Sequence, residues 1–221
     1  GFIGAVHRKA AAMDGQIELV CGVFSSDPQK SKATGDSLYL DSSRIYSSYD
    51  EMIKAEKKLP ADQRMDFVSI VTPNHMHFAP AKAALENGFH VIIDKPMTLS
   101  LAEAKKLKQV ADKSGLVFAL THTYTGYPMI KEARQLIKSG KLGKVRKVYV
   151  EYIQGWLHAP LEKTGQKQAT WRSDPKKSGL GGALGDIGTH AANLAEYVTG
   201  ATITELCAEL NSVVPGRLLD D

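Results

Sequence analysis

The sequence has few cysteines and no long apolar run, and each shortage excludes a class of protein. Only Cys21 and Cys207 stand in 221 residues, too few for a disulfide framework, which favours a reducing and therefore cytoplasmic compartment. No apolar stretch approaches the ~18 residues of a membrane-spanning helix. We therefore expect a protein that does not associate with membranes.

Strong charge and metal-ligand patterns are also missing. The chain has 28 basic and 24 acidic residues, a net charge of +4, and its lysines are scattered, which argues against a nucleic-acid partner. It lacks Cys-x2-Cys, and His75 and His77 would point apart on a helix, so we expect no metal site. Neither a Gly-x-Ser-x-Gly elbow nor a Walker loop is present. The 43% hydrophobic fraction is that of an ordinary globular protein.

Helical and strand patterns alternate over the first 120 residues or so. Strands are predicted at residues 17–24, 66–71, 89–93 and 116–120, and helices at 2–13, 28–35, 49–58, 77–86 and 100–114. The strand runs are short, largely apolar and rich in β-branched residues, as in strands buried on both faces. This pattern predicts an α/β fold with a doubly wound parallel sheet. An unrelated α+β fold, the alternative, is disfavoured because the strands lack inside/outside alternation.

The pattern changes near residue 122. Helices are predicted at residues 128–139 and 185–199 and strands at 145–153 and 202–210, around a polar stretch at 157–182. We therefore predict two domains, residues 1–122 and residues 123–221. The second is an α+β domain with an open sheet, and two strands do not complete a stable layer.

A Gly-x-x-Gly spacing opens the chain. Gly1, Phe2, Ile3 and Gly4 directly precede a helical pattern, with the spacing of the last two glycines of a dinucleotide fingerprint, where a helix N-terminus meets a pyrophosphate. Two incidental glycines would produce the same spacing. If the fingerprint interpretation holds, its first glycine and the first strand of the sheet precede residue 1.

Polar residues follow two of the predicted strands. Thr72, Pro73, Asn74 and His77 follow the strand at 66–71, and Asp94-Lys95-Pro96 follows the strand at 89–93. Ligands bind at the carboxyl ends of strands in open α/β sheets. The alternatives are an ordinary Pro-Asn turn and a surface lysine.

A glycine-rich segment carries a carboxylate and an imidazole. Asp186 and His190 are four residues apart, so they share one face of a predicted helix, and this pairing suits proton transfer. The alternative is that Asp186 caps the helix and His190 is a core histidine. We expect Gly181 and Gly182 to let another molecule approach closely.

Taken in order, these motifs resemble the Gfo/Idh/MocA oxidoreductases over nearly the whole chain. The residues that carry the resemblance are Thr72, Pro73, Asn74, His77, Ala83, Ala84, Leu85, Gly88, Asp94, Lys95, Pro96, Gly181, Gly182, Asp186, Gly188 and His190. The resemblance implies a Rossmann domain that binds NAD or NADP, then a substrate domain whose sheet forms a homodimer or homotetramer. Family members are longer, so we expect both domains to be incomplete here.

The resemblance also implies roles for individual residues. Lys95 would hydrogen-bond the reacting hydroxyl and the nicotinamide ribose, Asp186 would hold the substrate, and His190 would exchange the proton. The residues implied at the cofactor are Thr72, Pro73, Asn74, His77, Asp94, Lys95 and Pro96, in addition to residues 1–4. From their side-chain chemistry, the residues suited to stack on a sugar ring or bind its hydroxyls are Tyr124, Tyr127, Trp156, His158, Trp171 and Arg172.

Four positions depart from the family pattern. Asp94 replaces a more common Glu, Asn193 stands where many members have Asp, and Thr123-Tyr124 replaces a frequent Asn-Arg.

Ser25 and Ser26 bear on the choice of cofactor. They occupy the strand end where an NAD enzyme places a carboxylate on the ribose hydroxyls, and Asp27 is the nearest carboxylate. Without that carboxylate a 2′-phosphate is not repelled, although no arginine follows to bind one. We predict NAD or NADP, with a slight preference for NADP.

The expected activity is hydride transfer to or from a secondary alcohol of a sugar or cyclitol, with NAD or NADP as cofactor. Two alternatives use the same fold. One is a glycosidase that borrows NAD for a transient oxidation, and the other is a cofactor-binding regulator without chemistry, because fold does not determine function.

Overall fold

The computed structural model describes residues 2–221, and both Gly1 and the side chain of Phe2 lie outside the described part. The helices are α1 (Phe2–Ala12), α2 (Pro28–Ser37), α3 (Tyr49–Glu56), α4 (Phe78–Glu86), α5 (Leu101–Ser114), α6 (Pro128–Lys138), α7 (Lys167–Arg172), α8 (Pro175–Ser178) and α9 (Thr189–Thr199). The strands are β1 (Phe67–Ile70), β2 (His90–Ile93) and β3 (Phe118–Leu120). The helices and strands predicted between residues 28 and 139 are confirmed, with ends shifted by a few residues.

The chain divides into two compact units. The first unit comprises residues 2–72, 76–94 and 101–119, and the second comprises Pro73–His75, Lys95–Ser100 and Leu120–Asp221. The short segments that follow β1 and β2 therefore belong to the second unit, although they interrupt the first in sequence. This division places Lys95 in the same unit as Asp186 and His190.

A small sheet forms the centre of the first unit. Its strand order is β1-β2-β3, and β1 runs parallel to β2 in a register that pairs Phe67 with His90 and Ile70 with Ile93. The buried side chains around it are Ile70, Ala81, Ala84, Leu85, Phe89, Val91, Ile93 and Leu107. Burial of a large apolar side chain contributes roughly 1.5–3 kcal/mol, so this core holds α4 against the sheet and α5 against α4. The predicted α/β fold with a parallel sheet is confirmed.

The strand predicted at residues 17–24 is wrong. Gly22 alone forms a parallel bridge, with Ile45: its amide donates to the Arg44 carbonyl at 3.2 Å, and the Tyr46 amide donates to its carbonyl at 3.0 Å. The next amide that would extend the ladder, that of Phe24, donates instead to the Ser31 hydroxyl. A side-chain acceptor therefore replaces the backbone partner and ends the pairing after one bridge.

The strands predicted at residues 145–153 and 202–210 are also wrong. Both segments are irregular in the structure, and apolar side chains on them are exposed, with Tyr149 at 78% and Leu206 at 84%. Alternating sequence produces a strand only where a neighbouring segment supplies hydrogen-bond partners. Within residues 2–221 neither segment has such a neighbour.

In the described part of the chain, no helix combines the length and the apolar character needed to cross a membrane. No group of three or more His, Cys, Asp or Glu side chains in that part is arranged to hold a metal ion.

Candidate active site

A π-helical turn, Leu184–Gly188, leads into α9 and carries Asp186. The helix predicted from residue 185 therefore begins with a π turn, in which each carbonyl pairs with an amide five residues on, and becomes α-helical at Thr189. Lys95 binds this turn, since its ammonium donates to both the Asp186 carbonyl oxygen and Oδ1, each at 2.5 Å. π turns occur often at functional sites, and here the turn presents two oxygens of one residue to one cation.

Arg172 shares the Asp186 carboxylate. Its Nη1 donates to Oδ1 at 2.8 Å, so this oxygen accepts from two cations. The side chains are 16% exposed for Lys95, 18% for Asp186 and 28% for Arg172, so the cluster is shielded but reachable. The three groups sum to one positive charge, which favours an oxygen that develops negative charge during a reaction.

His190 lies one residue inside α9 and is 7% exposed. The edge of the His122 ring packs against it with centroids 5.5 Å apart, and His122 Nε2 lies 3.0 Å from the Thr189 hydroxyl. Burial, followed by the charge of Lys95, holds the pKa of His122 below its usual range. His122 is therefore neutral at pH 7 and adds no charge that would oppose protonation of His190.

A cavity of about 220 Å³ opens beside His190. The residues that line it are Tyr124, Tyr127, Ile130, Val150, Glu151, Tyr152, His190, Ala191 and Leu194. The ring of Tyr124 lies 4.6 Å from that of His190, and its hydroxyl is 2.8 Å from the Tyr152 hydroxyl. This hydrogen bond, together with burial, raises the pKa of Tyr124 to about 12. Phenol rings and aliphatic groups thus make up most of the cavity wall, and Glu151 and His190 are its other polar members.

The loop after β1 is held from within the chain. His77 is fully buried, with Nε2 2.9 Å from the Thr72 carbonyl oxygen, and the Thr72 hydroxyl donates to the Met76 carbonyl. In the second unit, buried Asn74 donates to the Ser178 carbonyl at 2.8 Å. His77 and Asn74 therefore support the polypeptide at the predicted cofactor positions, and their direct contact with a cofactor stays a prediction.

The loop after β2 has a similar internal support. In the first unit, Asp94 Oδ1 lies 3.5 Å from Nε2 of His7, whose Nδ1 is 3.0 Å from the Ser69 hydroxyl. In the second unit, the Lys95–Pro96 peptide bond is cis. The predicted cofactor residues Asp94, Lys95 and Pro96 thus lie in a defined loop at the carboxyl end of β2.

The other end of the predicted dinucleotide site lies on α1 and α2. A Cβ at Gly4 would lie 3.4 Å from Val71 Cγ2, so Gly4 is where α1 packs close to the end of β1. Asp27 caps α2 by accepting from the Gln29 and Lys30 amides, and the Ser25 hydroxyl accepts from the Asp27 amide. Ile3 lies in the first turn of α1, and Ser26 is exposed.

The structure brings together only some of the predicted substrate residues. Tyr124 and Tyr127 line the cavity, whereas Arg172 contacts Asp186. The indole of Trp171 donates to Gln168, that of Trp156 donates to Gln154, and His158 Nδ1 contacts the Gly155 carbonyl. These last three side chains bond within their own segments.

Gly181 and Gly182 lie close to other parts of this chain, whereas we expected another molecule to approach them. A Cβ at Gly182 would lie 2.0 Å from the Asp220 carbonyl oxygen, and one at Gly181 would lie 2.9 Å from the Gly185 amide nitrogen. The close approach is therefore made by this chain's own backbone, which corrects the expectation that the glycines admit another molecule.

Sequence reasoning missed His122, Tyr152 and Asp220. A signal existed for His122, because it follows β3 as Thr72 follows β1. Tyr152 lies in a segment predicted as a strand, where nothing separates it from any other alternating tyrosine. Asp220 is recognisable only from the folded chain.

Comparisons with known proteins show the family of the chain. Residues 1–122 match the family profile described as "Oxidoreductase family, NAD-binding Rossmann fold", and residues 130–221 match "GFO/IDH/MocA C-terminal domain". An uncharacterized oxidoreductase of Bacillus subtilis, YfiI, is 32% identical over 97% of this chain and 55% of its own length. The chain thus spans about half the length of the relatives it matches.

Solved structures show the same likeness. The crystal structure of an oxidoreductase from Sinorhizobium meliloti is 49% identical, with a TM-score of 0.86 over 100% of this chain and 56% of that one. An inositol dehydrogenase homolog from Azotobacter vinelandii, complexed with NADH and myo-inositol, is 37% identical, with a TM-score of 0.80 over 90% and 49%. The two profiles together cover well over half of the sequence, and the chain belongs to the Gfo/Idh/MocA family of oxidoreductases.

Proposed function

We propose that the protein is an NAD(P)-dependent dehydrogenase or reductase acting on a secondary alcohol of a sugar or cyclitol. The observation that carries the proposal is the Lys95–Asp186 pair in the same unit as a buried histidine that opens onto a small aromatic cavity. A positioned cation and a base are the groups that removal of hydride and proton from a carbinol requires.

The residues of the first unit fit a nicotinamide dinucleotide. Gly4 allows α1 to pack close to the end of β1, which is the role of the last glycine of the fingerprint. The first turn of α1 has no acidic side chain that would repel a pyrophosphate. Residues 2–4, Ser25, Ser26 and the loops after β1 and β2 would hold the cofactor. When bound, it supplies a hydride acceptor or donor.

Lys95 polarises the reacting oxygen in this proposal. An ammonium group has three N–H donors, and two of them bind the carbonyl and carboxylate oxygens of Asp186. The third is directed by these two bonds, so the substrate oxygen meets an oriented donor. Asp186 thereby positions Lys95 while its carboxylate stays within reach of a substrate hydroxyl.

His190 exchanges the hydroxyl proton. Its ring lies against neutral His122 and Tyr124, so the imidazole gains a proton without a neighbouring cation on those sides. One helical turn further along α9, the side-chain oxygen of Asn193 is buried and lacks a hydrogen-bond partner within residues 2–221. That oxygen is an acceptor that a bound ligand can satisfy.

The cavity supports a small ring as the substrate. Its volume of about 220 Å³ is below the ~300–1,000 Å³ typical of sites for drug-sized ligands. Aromatic side chains suit the C–H face of a sugar, and a structural relative binds myo-inositol in the crystal. We propose a monosaccharide or cyclitol, bound by Tyr124, Tyr127 and Arg172.

Of the two nicotinamide cofactors, we propose that the protein prefers NADP to NAD. This choice rests on Ser25 and Ser26, which precede α2, and on the nearby Asp27 carboxylate, which accepts from two amides and lies 3.4 Å from the Lys30 ammonium. The ratio of kcat/KM values with the two cofactors tests this choice. A ratio that favours NAD would reverse it.

We also propose that residues 1–122 and 123–221 are the two domains and that copies associate through the second domain as a homodimer or homotetramer. Light scattering on purified protein measures the assembly. A monomer at all concentrations would contradict the association.

The test of the function is oxidation of a panel of cyclitols and monosaccharides, followed by the absorbance of NADH or NADPH at 340 nm. Tryptophan-to-nicotinamide energy transfer measures cofactor binding independently. We expect turnover with at least one alcohol. Cofactor binding without any turnover would favour the regulator, and release of a free sugar without net reduction would favour the glycosidase.

A further inference from the structure

Asp220 binds the start of the turn that carries Asp186. Its carboxylate accepts from the Gly182 amide through Oδ1 at 2.5 Å and from the Leu184 amide through Oδ2 at 2.6 Å, and its carbonyl oxygen accepts from the Ala183 amide at 3.0 Å. The first amides of a helical segment have no acceptor within the helix. One residue therefore binds three consecutive amides, and its negative charge suits the positive end of the helix.

Gly182 makes this contact possible. A Cβ at position 182 would lie 2.0 Å from the Asp220 carbonyl oxygen and 3.0 Å from Cβ of Leu219, which is buried. A side chain at position 182 would therefore push residues 219 and 220 away from the turn. By contrast, a Cβ at Gly185, in the same turn, would meet no atom within 4 Å.

A continuous series of hydrogen bonds connects Asp220 with the ammonium of Lys95. Asp220 binds the Gly182 amide, the Gly182 carbonyl accepts from the Asp186 amide at 3.0 Å, and Asp186 binds Lys95 through its carbonyl and carboxylate oxygens. All of these groups lie in the second unit. The position of Asp186 is thus defined from both of its sides, by Asp220 and by Lys95.

We propose that Asp220 is a positioning residue of the active site. It fixes the turn at residues 182–184. The carbonyl oxygen and Oδ1 of Asp186 then accept from Lys95 and direct the third N–H of that ammonium. The inference rests on the proposed function for its kinetic consequence. Its structural consequence, an ordered Lys95, is measurable without any turnover.

The experiment compares Asp220→Asn with Asp221→Asn in the full chain. Asparagine keeps the size of aspartate but removes the charge and one acceptor, and Asp220 uses both of its oxygens. Asp221 is the control, because its two oxygens accept from the Val213 and Val214 amides at 2.6 and 2.9 Å, and from Arg217 at 2.9 Å, all away from the turn. Both variants lose one carboxylate at adjacent positions.

The first readout is the rate at which an amine-acylating reagent labels Lys95, measured by mass spectrometry. We expect faster labelling in Asp220→Asn than in Asp221→Asn, because release of the turn frees Lys95 from Asp186. The second readout is kcat, which we expect to fall on the order of 10- to 100-fold in Asp220→Asn alone, as small misplacements of reacting groups do.

Equal labelling of Lys95 in the two variants would overturn the inference, as would an unchanged kcat in an active protein. A helix cap with no role at the site would lower the melting temperature and move neither readout. Failure of the unsubstituted protein to oxidise any alcohol, with labelling still raised in Asp220→Asn, would overturn the proposed function and support the positioning of Lys95.

A second pair of variants covers the case in which Asp220→Asn does not fold. Gly182→Ala displaces Asp220 without altering its charge, and Gly185→Ala adds the same methyl group where there is space. We expect raised Lys95 labelling and lower kcat in Gly182→Ala relative to Gly185→Ala. Identical behaviour of these two variants would contradict the inference.

Discussion

Glu56 in the first unit and Asp186 in the second are both carboxylates bound by an arginine, and they differ in how much of the carboxylate stays accessible to a ligand. In the first unit, Glu56 is fully buried and accepts from Arg44 at 3.0 and 2.6 Å, from the Tyr46 hydroxyl at 3.0 Å and from the Met65 amide at 2.9 Å. In the second unit, Asp186 meets Lys95 and Arg172 through one carboxylate oxygen and retains 18% exposure.

The difference separates a carboxylate that stabilises the fold from one that suits chemistry. Burial opposes ionisation of Glu56, but its hydrogen bonds to Arg44, Met65 and Tyr46 outweigh burial and hold its pKa below the usual range. Four donors occupy both of its oxygens, so no acceptor is left for a ligand. Asp186 has comparable partners, but they converge on Oδ1, and the carboxylate remains reachable.

Loss of the base in the second unit should have the largest effect. We expect His190→Ala to lower kcat by about 10²–10⁴-fold, as removal of a general base does, while cofactor affinity stays nearly unchanged. Single-turnover rates and melting temperatures on the same samples measure both effects. His158→Ala, at an exposed histidine, is the control. An early-melting His190→Ala protein with a normal rate would remove His190 from the mechanism.

Substitution of Glu56 should lower stability, whereas substitution of Asp186 should lower the rate of turnover. Glu56→Gln breaks a buried ion pair, which costs about 3–5 kcal/mol of unfolding free energy, and its folded fraction should turn over normally. Asp186→Asn should instead slow turnover and change stability little. Urea unfolding and kcat per folded molecule separate the two. A Glu56→Gln protein of unchanged stability and lower kcat would contradict the assignment of Glu56 to folding and Asp186 to turnover.

The pH dependence of stability should also single out Glu56. Its folded-state pKa is lowered from 4.5, so its contribution is fully present above that value and is lost as pH falls through the lower, folded-state pKa. The difference in unfolding free energy between the unsubstituted protein and Glu56→Gln should therefore be constant near neutral pH and shrink below about pH 4.5. Denaturant titrations from pH 7 to pH 3 measure it. A difference that grows on acidification would contradict this sign.

The smallest effect is expected at an exposed pair. Lys108 and Asp112 lie 2.6 Å apart on α5, but their side chains are 72% and 61% exposed. Surface pairs at this spacing contribute about 0.3–0.5 kcal/mol, so Lys108→Ala should leave kcat unchanged and stability nearly so. Thermal unfolding at low and high salt measures it. A loss of unfolding free energy as large as that of Glu56→Gln would show that burial does not determine how much an ion pair contributes to stability.

The regular elements of the first unit were predictable because the signals are local. Residues 66–71 and 89–93 are largely apolar, and both become strands of one parallel pair. Residues 17–24, 145–153 and 202–210 have comparable strand character but form no ladder, because pairing depends on a partner that no local pattern reveals. At position 24 the competing acceptor is a serine hydroxyl seven residues away.

The candidate site was predictable in its members but not in their geometry. The resemblance names Lys95, Asp186 and His190, yet Lys95 and Asp186 are 91 residues apart, and nothing local predicts that one ammonium binds two oxygens of one residue. The π turn was missed because Gly185 and Gly188 permit either helical geometry. Glu56 was not singled out, since an isolated glutamate on a predicted helix is usually exposed.

The division of the chain into units has a consequence for how such proteins can be recombined. The segments Pro73–His75 and Lys95–Ser100 belong to the second unit although they are encoded within the first. A chimaera joined near residue 122 would therefore combine Lys95 from one parent with Asp186 and His190 from the other. Substrate preference in such hybrids should match neither parent until both short segments are exchanged together with the C-terminal part. The coding sequence of the second unit is therefore discontinuous.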